Sequence, residues 1–475
     1  MSKSLKSIIF AIVGLIGLLI LISVALFFFV GTSGYKPRLE RAVSEALGME
    51  VHIGGRLGIA FFSDLHVRLD DVHIRNREME IASAKEANLE IALLPLLHKE
   101  VRIRRIGLQR PRISIKRDRD GVFNFEKRKE AKGTFFTLDL DNLSLSDGVF
   151  LYGDEQSGEG FEVGNFKLDV RSLRIARGNS AELLKNLSFT AEFACREIRT
   201  KDLMFSDVKF TGKGKNGIFA LNPVTMRLFG GQGSGNIGAD FSGPIPHYSV
   251  RASLAKFRIE EYFKTLSSKK VAEGSMDFSA SLSMRGNTAK EITQTAGGEI
   301  SLRGENLTLY GNDLDREFAR FESSQNFNLV DVGAFFFAGP IGLAVTKGYK
   351  FGSIFRGSGG STSIGKLFSD WKVERGIAQA KDVAMATKQN RIALKGGINF
   401  VNESFDDVTI ALIDARGCAR VQQKIRGPFR KPVVEKPNVL MSLAGPAFNL
   451  FKRVRDLFTG GKCEAFYTGS VPAPK

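Results

Sequence analysis

A chain of 475 residues that is 43% hydrophobic can bury a substantial core, which excludes a disordered polypeptide. A net charge of +17 and a pI near 9.7 would point to nucleic acid in a soluble protein. Three cysteines are too few for a disulfide-framed scaffold.

The N-terminus redirects the charge argument. Residues 1–7, MSKSLKS, carry Lys3, Lys6 and the amino terminus without an acid, which favours the cytoplasm for this head. Ile8 to Val30 is an apolar run broken only by glycine and one serine. At about 1.5 Å per residue it reaches roughly 35 Å, enough to cross a bilayer with some tilt. A cleaved signal peptide has an apolar core of only ~7–15 residues and a small-x-small cleavage site. The run therefore reads as an uncleaved, single-pass anchor. The basic excess is then expected to meet anionic lipid head groups rather than nucleic acid. It is densest at Lys99, Arg102, Arg104, Arg105, Arg110, Arg112, Lys116, Arg117 and Arg119, where the alternative is a solvated strand face.

Beyond the anchor, YKPRLERAVSEALG places Leu39, Ala42, Val43, Ala46 and Leu47 on one helical stripe, with Pro37 in the first turn and Gly48 as the stop. From about residue 50 to 310 the chain alternates as strands do. The alternation breaks in a recurrent way. In LHVRLDDVHIRN, Leu65, Val67 and Leu69 share a phase, and Val72 and Ile74 resume it three steps later, which predicts the opposite face. The same three-residue step separates Leu140 from Leu143, Val170 from Leu173 and Phe205 from Val208. Each break reads either as a bulge or bend within one strand or as a tight turn between two.

After residue 311 the texture changes. GNDLDREFARFE looks helical, VDVGAFFFAGPIGLAV is an apolar run too short for a second span, and strands return beyond the Gly/Ser stretch GSGGSTSIG. AFNLFKRVRDLF is an amphipathic basic helix that either caps the fold or lies on a membrane surface. No chemistry declares itself. GSGNIG at 233–238 is followed by two prolines and strand alternation, not by the helix a dinucleotide site needs. GSTSIGKL at 360–367 has Leu367 where a phosphate loop needs a hydroxyl. The five histidines form no metal-ligand pattern, with His66 and His73 expected on opposite sides. Catalytic residues, metal and cofactors are expected to be none. Cys418 and Cys463 either pair in an oxidising compartment or, with Cys195, serve as small buried apolar side chains.

The anchor, the helix YKPRLERAVSEALG, the stretches VHIGGRLGIAFFSDLHVRLDDVHIRN and LPLLHKEVRIRRIGLQRPRISIKRDRDGVFNF, and the late stretches RGIAQAKDVAMATKQNRIALKGGINF and IRGPFRKP occur in an order that resembles the AsmA family. These are inner-membrane-anchored periplasmic proteins of Gram-negative bacteria. The resemblance implies a mainly β fold with a few helices. In it, an N-terminal transmembrane helix (8–30) precedes AsmA-like helix and strands (31–130), a body forming an elongated, bent β-sheet groove (131–310) and an AsmA-like C-terminal region (311–475). It implies a non-enzymatic protein that carries or holds phospholipid and contributes to outer-membrane lipid homeostasis. The alternative is a scaffold for outer-membrane protein assembly, with envelope proteins as partners. On this resemblance the half of each bent strand before its break would line the groove: Leu65, Val67, Leu69, Leu138, Leu140, Phe166, Leu168, Val170, Leu203 and Phe205.

Overall fold

The structure is a computed structural model that describes residues 35–61, 63–76, 79–97, 102–126, 138–175, 183–267, 269–311, 313–324, 329–333, 336, 359–439 and 464–474. The expected span from Ile8 to Val30, the amphipathic stretch 447–458 and Cys463 lie outside these residues. Among the described residues no helix is long and apolar enough to cross a membrane. The chain is mainly β and divides into two units, residues 1–227 with 234–248 and residues 228–233 with 249–475.

The first unit holds α1 (Tyr35–Leu47), β1 (Glu50–Ile53), β2 (Leu57–Phe61), β3 (Leu65–Asn76), β4 (Met79–Ile91), α2 (Leu93–Leu97), β5 (Ile103–Gln109), β6 (Arg112–Arg117), β7 (Leu138–Asp154), β8 (Glu159–Ile175), α3 (Leu183–Asn186), β9 (Leu187–Thr200), β10 (Met204–Lys215) and β11 (Ile218–Leu228). Next along the chain come β12 (Gly231–Asp240) and β13 (His247–Arg258), which contribute residues to both units. β1 and β2 both pair with β3, and the ladder continues through β4, then β5 and β6, then β7 to β11. The pairing is antiparallel except where β5 and β6 run parallel to β7. Between β5 and β6 the chain kinks at Arg110, whose φ is +49°, and Pro111, which has no N–H to give a ladder.

The phase breaks do not turn the apolar residues over. Leu65, Val67, Leu69, Val72 and Ile74 are all buried in one cluster. Asp71, between the two halves, has φ +57°. A residue in the left-handed region adds a kink that restores its neighbours to the side they left, so the extra residue in the sequence compensates for the kink in the backbone. Ser172 and Asp207 stand at two other breaks with φ +53°. At the fourth, Asp141 falls opposite Ser172, because Leu140 pairs with Leu173 and Asn142 with Arg171. Leu140 and Leu143 share the cluster with Val170 and Leu173, and Phe205 and Val208 meet in another. The aspartates and serine are there because short polar side chains tolerate this conformation, which costs a branched residue more. Ser172→Val should therefore lower stability by about 1–2 kcal/mol in urea unfolding, whereas Ser172→Gly should stay within about 0.5 kcal/mol of wild type. Equal effects of the two would remove the strain argument.

α1 closes one edge of this sheet. It buries Val43, and Ser44 Oγ and Glu40 Oε1 accept from the β1 amides of Val51 (2.9 Å) and Ile53 (2.7 Å). An edge strand whose outward N–H groups are taken by a helix cannot recruit another strand.

The second unit adds α4 (Ile259–Phe263), β14 (Ala272–Glu273), β15 (Ser275–Arg285), α5 (Ala289–Thr295), β16 (Gly297–Tyr310), α6 (Leu314–Ser324), α7 (Leu329–Gly333), β17 (Ser361–Glu374), β18 (Ile377–Thr387), β19 (Arg391–Asn399), β20 (Ser404–Ile413), β21 (Ala419–Pro428), β22 (Val433–Val434) and β23 (Asn438–Val439). β15 to β21 follow one another as an antiparallel meander. The same device recurs: Lys256, Asn306 and Asp407 have φ of +51°, +54° and +48° and sit inside β13, β16 and β20. The stretch 360–367 enters β17 as strand, and 233–238 lies within β12. The strands β18 to β20 are buried on both sides over Val383–Thr387, Arg391–Leu394 and Val408–Ile413. The segment 464–474 covers one of them, setting Tyr467 and Val471 against Ala384, Ala393, Ala411 and Ile413. Arg391 donates to the carbonyl of Val471 at 2.9 Å, and the Tyr467 hydroxyl donates to Asp382.

Candidate functional site: an open apolar face

Every strand of the first unit has one polar and one apolar side, but the apolar side is not covered uniformly. Over β3 to β6 and the parts of β7 and β8 that hold Leu140, Leu143, Val170, Leu173 and Ile175 it is sealed, with Val43 of α1 and Leu183 of α3 joining the cluster. Over β9 to β11 it is left half-exposed, and the residues there are Phe189, Phe193, Phe210, Phe219, Leu221 and Met226. Their rings form rows across the strands. Phe193 stacks on Phe210 at 4.7 Å and on Phe166 at 6.2 Å. Phe219 lies 6.0 Å from Phe189 and 5.8 Å from Phe241, which meets Tyr248 edge-on at 5.8 Å. Glycine provides the seats. A Cβ on Gly214 would come within 2.7 Å of both Phe189 and Phe219, and one on Gly148 would enter the Phe166 ring. Phenylalanines half in water on one contiguous face are what a monomeric soluble surface avoids, and mark a candidate binding surface.

The second unit repeats the pattern. In β15, SMDFSASLSMR, Phe278, Ala280, Leu282 and Met284 are half-buried while the serines between them are exposed. Val250 and Ala252 of β13 and Ile300 of β16 have the same intermediate exposure. Full burial resumes at Leu302, Leu307 and Leu309.

The residues expected to line a groove are divided by this geometry. Leu65, Val67, Leu69, Leu140 and Val170 are buried in the sealed cluster of β3 to β8, and Phe166 is buried beside it. Leu168 and Phe205 are half-buried at the border of the open face, and Leu203 is half-buried just before β10. Leu138 opens β7, and its side chain is outside the described residues. The phenylalanines that form the open face lie in LSFTAEFAC and VKFTGKGKNGIFA, which alternate ring with polar residue and place glycines where rings must fit.

The opposite side of the sheet is a lattice of ion pairs. Arg68 meets Asp70 at 2.9 Å and Glu86 at 2.7 Å, and Arg102 and Arg174 share Asp139 at 3.0 and 3.2 Å. Of the basic run, Arg102, Arg104, Arg105 and Arg117 have carboxylate partners. Lys99 is outside the described residues. A concavity is lined by Ile59, Ala60, His66, Arg68, Glu90 and Arg105 among others, and Arg105 pairs there with Glu90 at 3.5 Å. His66 and His73 fall on this one side, contrary to expectation, because the kink at Asp71 lies between them; His73 bridges Asp71 (3.0 Å) and Glu80 (3.2 Å). Among the described residues no group of His, Cys, Asp or Glu is placed to hold a metal ion.

Cys195 is a free, buried thiol, and burial pushes its pKa up to about 11. Cys418 is disulfide-bonded; Cys463, its expected partner, is outside the described residues. Thiol labelling of the denatured, unreduced protein should find one cysteine, and labelling after reduction should find three. Native Cys195 should react slowly at pH 8, since the thiolate is scarce. Three labelled thiols without reductant would exclude the bond.

A model of the AsmA family matches residues 1–183 and 137–325. No curated protein and no solved structure gives a match.

Proposed function

This chain belongs to the AsmA family, and we propose that it is an inner-membrane-anchored periplasmic protein that holds or carries phospholipid along the open apolar face, with the bent sheet of each unit serving as a stretch of β-groove. The observation that carries this reading is the row of half-exposed rings seated on glycines in β9 to β11. An acyl chain laid on that row would leave water at a gain of about 0.8 kcal/mol per CH₂, or roughly 12 kcal/mol for a whole chain. Its phosphate would remain at the rim, where Lys and Arg side chains can bond it. The disulfide at Cys418 supports an oxidising compartment. Ile8 to Val30 supplies the anchor. Alkaline phosphatase fused after residue 60 should be active, and carbonate should not release the protein. A soluble, shortened product would defeat the anchor.

The function is tested with photo-crosslinking side chains in living cells. Probes at Phe219 and Phe241 should capture phospholipid, and probes at the exposed neighbours Ala220 and Thr225 should not. Equal capture on both sides, or adducts to proteins alone, would replace the groove with the scaffold.

A further inference from the structure

The outer edge of the first unit's sheet is protected along β1 and open along β2. Both strands pair with β3, but α1 takes only the β1 amides of Val51 and Ile53. Asp70 of β3 spends both its backbone bonds on the turn before β2, accepting from Gly55 and donating to Arg56 at 3.0 Å each. Backbone N–H and C=O groups change sides at every residue of a strand, so Arg68 and His66 also face β2, where they meet Gly58 and Ala60. The N–H and C=O groups of Leu57, Ile59 and Phe61 therefore point away from the sheet. No group among the described residues bonds them. The strand LGIAF also lacks the devices that blunt an edge, having no charge, no proline and no register shift against β3.

The side chains decide what fits there. Leu57 and Ile59 continue the apolar layer of their partners Leu69 and Val67, and that layer stops at Ile59, which is 37% exposed. On the other side Gly58 and Ala60 are exposed and too small to screen Arg68 and His66 from a strand laid beside β2. The acids nearby are already answered: Asp70 and Glu86 by Arg68, Glu90 by Arg105 and Asp64 by Arg104. His66 and Arg56 are exposed, and neither has an acidic partner among the described residues. That side favours an acid.

We propose that the outer edge of β2 is a strand-addition site for an extended segment of another protein, one that alternates apolar residues with aspartate or glutamate. Its backbone completes the ladder at Leu57, Ile59 and Phe61. Its apolar side chains lie beside Leu57 and Ile59, and its acids reach past Gly58 and Ala60 to His66 and Arg56. A second copy of β2 fits less well, because it brings Gly58 and Ala60 to that side and no acid. The site shares no residue with the ring rows of β9 to β11, so it stands or falls apart from the lipid reading.

The experiment titrates the detergent-released full chain with a fluorescent, end-blocked heptapeptide of alternating valine and glutamate. The same peptide with lysine for glutamate should bind about threefold or more weaker, and His66→Glu should remove that preference. Ile59→Pro deletes one outward N–H and leaves the bonds to β3 in place, as proline does on an edge strand. It should weaken binding about tenfold. If this variant does not fold, two methylated peptides decide with the wild-type protein. In an antiparallel addition the valine N–H groups face β2. N-methylation of the valines should then abolish binding, and N-methylation of the glutamates should spare it. Equal binding of these two peptides, or no binding of the parent peptide, overturns the site. A concentration-dependent dimer that Ile59→Pro dissolves, with no peptide bound, assigns the edge to a second copy and overturns the proposed partner.

Discussion

Phe219→Asp should abolish phospholipid capture while the protein stays folded. Phe219 is half-exposed in β11, and its ring bridges Phe189 and Phe241 in the middle of the open row. In the empty protein an aspartate there keeps its water, so the cost to the fold is the lost ring contacts, about 1–2 kcal/mol. When an acyl chain lies over it, the carboxylate must shed that water or take up a proton. Either costs several kcal/mol, which corresponds to a loss of binding on the order of a thousandfold. Ala220→Asp, one residue along and on the wet side, should change neither lipid content nor complementation. Lipid extraction of the detergent-released variants measures the first and growth of the deletion strain the second. If Phe219→Asp retains wild-type lipid, the ring row is not the lipid path. If Ala220→Asp loses as much, the effect is general and not a property of the face.

The strand content and α1 were legible because each depends on a few neighbouring residues. Leu39, Val43 and Leu47 mark a helix wherever they lie, and GNDLDREFARFE announced α6. The breaks were legible as breaks, yet their meaning was not. Three steps from Leu69 to Val72 reverse the face only if every residue between is extended, and Asp71 at φ +57° is not. The choice of aspartate, asparagine or serine at such positions was the available signal, because these residues enter the left-handed region at least cost. Which apolar stretch stays open was beyond the local pattern. β3 and β11 alternate alike, and they differ in what lies above them. Over the sealed part of the sheet that is Val43 and Leu183, held there by helices that come from elsewhere in the chain. The residues whose phase pointed to a groove therefore lie mostly in the sealed cluster. The glycine seats under Phe189, Phe219 and Phe166 distinguish the open rows, but they become informative only once the register shows which glycine faces which ring.

Leu140→Asp separates the two kinds of apolar position. Leu140 is fully buried in β7, paired with Leu173 and packed in the cluster that includes Val43, Ile106 and Val170. Its neighbour Asp139 reaches Arg102 and Arg174 on the other side of the sheet, so those guanidinium groups cannot answer a carboxylate placed at 140. The variant loses the leucine's packing and buries an unpaired acid, together on the order of 5 kcal/mol at neutral pH. That is enough to unfold a marginal unit and deplete the protein in cells. The loss should depend on pH with a defined sign. Burial raises the folded-state pKa of the new carboxyl above its unfolded value of about 3.9, so the unfolded chain releases the proton first as pH rises. The deficit is therefore smallest below about pH 4 and grows as pH rises towards the folded-state pKa, beyond which it stays constant. Leu140→Asn, with similar shape and no charge, should show a deficit that does not vary over that window. Urea unfolding of both variants at pH 5 and pH 8 compares them directly. If Leu140→Asp instead folds with wild-type stability and loses only its lipid, Leu140 belongs to the open face and the seal over β3 to β8 is not permanent.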